Sequence, residues 1–401
     1  MGGSGRGEEP NPPAPFPARG GGDGSAIEPG LARPASDDAL PTAHGPLTTP
    51  AFLPDATRAG VRAVTSEDLR SVGIEALVVN AFHLMRRPGV RVIQAAGGIH
   101  SFMDWDGPIL SDSGGFQVYS LIRQNPDYGV IRANEVIFRE PGTSERVTLT
   151  PERVVQIQYQ LGSDIIVCLD DCTNADDPED AQQASVERTI RWARRCREEY
   201  DRLEAQRRDT VRPQRPLIFA VVQGGPYEYL RKRCAEALVE IGFDGFGFGG
   251  WPIAEDGSLL TDVLRYVVDA LPPEAPKHAL GVGSPEHVVT AWNLGYHTFD
   301  SSFPTRDARH HRLYIYRPGF PEGGLRPGES FYRTLYILDT DHHAEREPLD
   351  PTCDCPACSR YSRAYIHHLF KVGDVSAERL ATLHNLRFYT RLIAALGPRL
   401  S

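Results

Sequence analysis

From residue 46 onward, short runs of Val, Ile, Leu and Phe give way to loops and then to longer stretches with helical spacing. The runs are ALVVNAFHL (76–84), GPILSDSGG (107–115), SDIIVCLDDC (163–172), PLIFAVVQGG (216–225), FDGFGFGG (243–250), PKHALGVG (276–283) and YHTFDSSFP (296–304). Each predicts a strand. The stretches between them predict helices over 65–73, 150–162, 180–206, 227–242, 259–271 and 284–295. Several open on Ser, Thr or Asp, and TPER and SPEH place Pro in the first turn, as helix starts do. A helix-free hairpin over roughly 121–150 interrupts the order.

Strands alternating with helices predict an α/β fold built on a parallel sheet. Seven strands are visible and PAFLPDA (50–56) supplies an eighth, so a (β/α)8 barrel is the leading expectation. A doubly wound open sheet is the alternative, because closure of a sheet leaves no mark in one sequence. No G-x-G-x-x-G follows the first strand, which counts against an open dinucleotide-binding sheet.

Polar residues recur at the carboxyl ends of these strands: Asn80, Asp112, Asp170 with Asp171, Gln223, Gly249 with Gly250, and Asp300. In a parallel barrel that end carries the active site. One such acid would read as a loop N-cap; several strand ends contributing Asp or Gln to one rim read as a site. Two carboxylates facing one pocket suit work at a glycosidic bond, one steadying or attacking the anomeric carbon and one handling the leaving group's proton. Gln223 and the adjacent glycine backbones offer donors and acceptors to a planar polar ligand such as a nucleobase.

Composition then narrows the class. Residues 1–45 are dominated at their start by Gly, Pro and polar side chains and predict a disordered tail. No apolar run is long enough to span a membrane, and the first residues lack the apolar core of a secretory signal. A formal charge of −10 argues against indiscriminate nucleic-acid binding while leaving room for a local basic surface. Four of the seven cysteines are scattered, which fits reduced thiols and a cytoplasmic location. The other three, Cys353, Cys355 and Cys358, form C-x-C-x2-C and predict a structural Zn2+ site, with His367, His368 or His384 as the fourth ligand by spacing. Arg188, Arg191 and Arg195, with Arg194 and Arg197 beside them, read as a solvated helix face, or else as a phosphate-contacting stripe.

SDSGGFQV (111–118), LDDC (169–172), VVQGG (221–225), GFDGFGFGG (242–250), LGVGSPE (280–286), FDSSFPTR (299–306) and the CDCPAC…SRAYIHHL…HN segment (353–385) together resemble the tRNA-guanine transglycosylase family, from about residue 46 to 395. The resemblance implies a (β/α)8 TIM barrel (46–337), an inserted zinc subdomain (338–390) and a last helix end closing on the barrel (391–401). It implies exchange of a guanine in tRNA, at the wobble position, for a 7-deazaguanine base, with no redox or nucleotide cofactor. Carried over by motif, Asp300 is the nucleophile at the ribose C1′ and Asp112 the general acid and then base. Asp170 takes the amidine edge of the base, Gln223 and the Gly250 amide its carbonyl oxygen, and Phe116 and Leu280 stack on its faces. The zinc ligands fall on Cys353, Cys355, Cys358 and His384.

Two segments depart from the family's bacterial pattern. After Gly249-Gly250 the chain reads Trp251-Pro252-Ile253-Ala254-Glu255. Pro252 has no N–H to offer and a fixed φ, Trp251 is bulky, and Glu255 can meet a cationic arm on the incoming base. That leaves open the aminomethyl precursor preQ1, queuine or another 7-substituted base. After the nucleophile, PTRDARHHR keeps Arg306 and Arg309 to contact the RNA around the target guanine. A homodimer is the default assembly of the family. The alternatives are the same exchange on DNA, a non-catalytic partner subunit, and a barrel glycoside hydrolase.

Overall fold

The computed structural model describes residues 39–139, 142–207, 214–320, 325, 328 and 330–396. The tail expected over 1–45 therefore lies outside the described residues up to position 38. From Ala39 the chain is already in the fold, pairing Ala39–Leu40 with Leu47–Thr48 in a small antiparallel hairpin. Among the described residues no helix is long and apolar enough to cross a membrane.

Eight parallel strands form the centre: β1 (Ala51–Pro54), β2 (Leu77–Asn80), β3 (Ile109–Asp112), β4 (Ile165–Val167), β5 (Leu217–Val222), β6 (Gly245–Phe248), β7 (Lys277–Ala279) and β8 (Thr298–Ser301). Each pairs with its neighbour in chain order, and β8 returns to pair with β1, Asp300 opposite Leu53. The ring is completed between β1 and β2 by the parallel bridge from Asp55 to Val78. The sheet is a (β/α)8 barrel rather than an open one.

Strand periodicity explains the packing. Leu53, Val78, Leu110, Ile165, Val167, Leu217, Phe219 and Val221 fill the barrel interior. Their neighbours Leu77, Val79, Ile109, Ile166 and Ile218 point outward under the helices. Both faces are buried, so the strands read as unbroken apolar runs. β6 differs. Phe246 and Phe248 pack outward, and its other positions are glycine. A Cβ on Gly247 would lie 2.8 Å from Leu280 Cδ1, and one on Gly249 2.5 Å from Gln223 Nε2. The bare edge of β6 is what lets those two side chains reach the upper barrel.

Two expectations change in detail. The run at 76–84 stops being a strand at Asn80, whose side chain accepts the His83 N–H at 3.3 Å and starts a helix at Ala81. The interruption after Asp112 begins with a helix, Gly115–Gln124, and continues as a three-stranded antiparallel meander, Gly129–Ile131, Val136–Phe138 and Val147–Leu149, rather than a hairpin. Three arginines of the 188–197 stripe are committed within the protein. Arg188 pairs with Asp171, Arg195 with Glu152 and Arg197 with Asp201.

The hairpin at Ala39 closes the lower end of the barrel. Its Leu47 joins the interior cluster, and His44 reaches the buried Asp164 at the start of β4. Asp164 accepts from His44 Nδ1 at 2.8 Å, His100 Nε2 at 2.9 Å and the Ile109 N–H at 2.8 Å. Burial pushes this carboxyl up, but the hydrogen bonds from His100 and His44 outweigh it and bring it down to about 2. A depressed folded value gives stability that is present above the unfolded carboxyl's range and is lost as pH falls toward about 2. Asp164→Asn should cost roughly 2 kcal/mol at neutral pH and flatten the acid limb of stability below about pH 4. Urea unfolding across that range measures it; a variant as stable as the parent would remove the role.

Beyond β8 the chain forms a short helix (Phe303–Arg309), a hairpin (Arg312–Tyr316 with Tyr332–Tyr336) and three helices, Pro356–Arg360, Arg363–Val372 and Val375–Ala395. The last of these returns to the barrel. Tyr389 packs on Phe52 of β1 with ring centroids 4.4 Å apart, and its hydroxyl donates to the Gly283 carbonyl. It runs unbroken through position 390.

Candidate active site

The carboxyl ends of the strands meet over one cavity of about 340 Å3. Asp112, Asp170 and Asp300 line it together with Asn80, Phe116, Gly249, Gly250, Trp251, Leu280 and Arg306. Three expected residues stand apart. Gln223 is fully buried and sits behind the wall, its Nε2 donating to Asp170 Oδ2 at 2.6 Å. Glu255 lines an adjoining groove of about 680 Å3 that shares Phe116, Cys172, Trp251 and Ile253 with the cavity. Arg309 lines neither, its guanidinium donating to the Thr305 carbonyl at 2.8 Å.

Asp112 ends β3 and is gripped by Asn80, which ends β2. The Asn80 amide donates to Asp112 Oδ2 at 2.6 Å while its oxygen caps the next helix. Gly114 follows with φ +86°, and a side chain there would collide with Phe82. The glycine pair thus lets the chain turn sharply beside packed Phe82 and start the helix that carries Phe116. Desolvation, and then the charge of Asp300, push the Asp112 carboxyl up to about 6. Desolvation likewise pushes Asp170 to about 7, against the lowering effect of the Gln223 hydrogen bond. Its neighbour Asp171 turns away to Arg188, so the Asp pair of LDDC divides between site and scaffold. The Gln223 oxygen is buried with no partner among the described residues.

Asp300 is held by one oxygen. Its Oδ1 accepts the Gly281 N–H at 2.9 Å and lies 3.2 Å from His278 Nε2, while Oδ2 has no partner among the described residues. His278 is absent from the sequence expectations; its one signal is a polar residue inside a buried run. Above the cavity Phe116 and Trp251 are partly exposed and nearly parallel, ring centroids 6.0 Å apart at 19°.

A second cluster lies after the barrel. The ligand atoms of Cys353, Cys355, Cys358 and His384 all fall within 4.8 Å of one another, and all four residues are buried. His384 Nε2 donates to the Tyr314 carbonyl at 2.8 Å, which turns the Nδ1 lone pair toward the thiols, 3.3 Å from Cys358 Sγ and 3.9 Å from Cys355 Sγ. Metal–sulfur and metal–nitrogen arms of ordinary length give a tetrahedral edge of about 3.5 Å, so the set fits a four-coordinate metal ion. It joins three segments: the cysteine loop, the Tyr314 strand and the last helix.

Fold and site together define a (β/α)8-barrel enzyme that gathers three carboxylates about one partly apolar cavity, with a separate Cys3His group able to hold a metal. A family model described as queuine tRNA-ribosyltransferase matches residues 38–397. A queuine tRNA-ribosyltransferase of Actinobacillus pleuropneumoniae serotype 3 (strain JL03) is 39% identical over 348 residues, 87% of this chain and 84% of that one. That of Aliivibrio fischeri (strain MJ11) is 39% identical over 357 residues, 89% and 88% of the two chains. That of Shewanella sp. (strain ANA-3) is 39% identical over 353 residues, 88% and 87%. The chain belongs to the queuine tRNA-ribosyltransferase family, a family of transferases.

Proposed function

We propose that this chain replaces a guanine of tRNA, at the wobble position, with a 7-deazaguanine base by double displacement. Asp300 Oδ2 attacks the ribose C1′ as the guanine leaves, giving an Asp–ribose ester. Asp112 gives its proton to the departing base and takes one from the incoming base. A carboxyl raised to about 6 exchanges protons readily near neutrality, which suits it to both tasks. Asp170 accepts from the base's amidine edge. Gln223 steadies Asp170 from behind, and the Gly250 amide faces the carbonyl oxygen. Phe116 and Leu280 flank the purine plane, and Arg306 meets the RNA at the mouth; Arg309, one turn further along the same helix, contributes to the same RNA path. The observation that carries this reading is the arrangement of Asp300: one oxygen bonded to the Gly281 N–H with His278 Nε2 close by, the other without a partner among the described residues in a cavity it shares with Asp112 and Asp170.

Zn2+ is the ion we assign to Cys353, Cys355, Cys358 and His384, where it fastens the last helix to the hairpin and takes no part in the chemistry. Two copies of the chain and a cytoplasmic setting complete the proposal.

The test is incorporation of labelled guanine into bulk tRNA, run beside the aminomethyl precursor and queuine. No incorporation from any tRNA would overturn the reading. The same assay gives a pH signature. Asp170 must be ionised to accept the amidine edge, so its raised value predicts that KM for guanine climbs as pH falls below about 7. A KM flat from about pH 5.5 to 8 would remove Asp170 from base recognition.

A further inference from the structure

His278 has no place in the mechanism above. It lies on β7, 1% exposed, with Nδ1 2.8 Å from the Thr298 hydroxyl and Nε2 3.2 Å from Asp300 Oδ1. Nε2 is close to that oxygen but off the line of a good hydrogen bond, and it has no aligned partner among the described residues. A bare lone pair facing a carboxylate would be repelled. The proton therefore belongs on Nε2, and the Thr298 hydroxyl donates to Nδ1. Oδ1 of Asp300 is thus attended by His278 on one side and the Gly281 N–H on the other.

We infer that His278 is a positioning residue for the second half of the exchange, acting through Asp300; the inference rests on Asp300 being the nucleophile. In that half, N9 of the incoming base bonds to C1′ and the C1′–Oδ2 bond breaks. The bonding pair returns to the Asp300 carboxylate, and the N9 proton passes to Asp112. Negative charge grows on Asp300 as the ester opens, so the Gly281 N–H strengthens its bond to Oδ1 and His278 Nε2, already 3.2 Å away, is drawn into line with it as the transition state is reached. In the first half the same donors hold the free carboxylate back. His278 thereby shifts the balance away from stored ester and toward release of the modified RNA.

The experiment uses the full chain with its metal, tRNA and saturating labelled guanine, quenched in denaturant. It reads both exchange rate and the fraction of protein bonded to RNA. His278→Phe should slow exchange about tenfold or more while raising the bonded fraction several-fold. His278→Gln, whose amide nitrogen can take the place of Nε2, should restore both. Thr298→Val, which removes the donor to Nδ1, should move both in the direction of His278→Phe, and it decides the matter should the phenylalanine variant fail to fold. A merely structural role would misplace Asp300 and lower the bonded fraction. A fraction unchanged or lowered in the variants, with the parent forming adduct normally, overturns the inference. A parent that exchanges no base and forms no adduct overturns the nucleophile assignment itself.

Discussion

Asp300→Asn should lower base exchange by at least about a thousandfold and abolish the denaturation-resistant RNA adduct. Asparagine keeps the shape of the side chain, and its carbonyl oxygen can still accept the Gly281 N–H that holds Oδ1. What it loses is the anionic oxygen. The attacking atom becomes a neutral amide nitrogen or oxygen, neither able to form a stable ester with C1′. The fold should be untouched, because Asn is isosteric with Asp300, and its neighbours on β8, Phe299 and Ser301, are the buried ones. Guanine binding should persist, since Asp170 and Gly250 lie elsewhere on the rim. Denaturing gels of enzyme with tRNA separate the cases. An adduct that survives in this variant would move the nucleophile to Asp112 or Asp170.

Stripping the metal should have the second large effect. Chelation should release about one ion per chain and lower the melting temperature by roughly 10 °C or more, and Cys358→Ser should do the same without chelator. The cost follows from where the ligands sit. His384 and Asn385 are adjacent on the last helix. His384 reaches the cysteines, while Asn385 accepts the Tyr314 N–H at 3.2 Å and donates to the Pro304 carbonyl at 3.0 Å. Without the ion, three buried thiols and an imidazole lose their common partner, and the helix that packs on β1 loses its anchor. Exchange should fall with it, because Pro304 follows directly on the segment that carries Asp300. A metal-free chain of equal melting temperature would rule the site out. Elemental analysis of the released ion tests its identity as zinc.

The strands and the long helices were legible because burial on both faces leaves uninterrupted apolar runs and because Thr150, Pro151 and Pro285 mark their helix starts. Asp112, Asp170 and Asp300 were legible for a related reason: a carboxylate ending such a run has to face the rim. What escaped depended on contacts distant in sequence. Closure rests on Asp55 meeting Val78 and β8 meeting β1, and no local pattern encodes either. Asn80 is legible as a polar strand end, but its double use, capping the next helix while gripping Asp112, rests on contacts the sequence does not show. Gln223 and Glu255 lie on the expected strand ends and loops, yet one is set behind the wall and the other beyond the Phe116–Trp251 pair. His278 was hidden by its surroundings, because one polar residue in a buried run usually marks only a satisfied core contact.

The order of strands in the ring has a consequence for synthesis. The strand bearing Asp300 is wedged between its predecessor and the first strand of the barrel, and the helix that braces that seam follows all eight strands in the chain. On the proposed mechanism, a nascent chain that already holds Asp112 and Asp170 still lacks the carboxylate that attacks the ribose. Competence, on that mechanism, therefore waits for that late helix to dock against the closed ring.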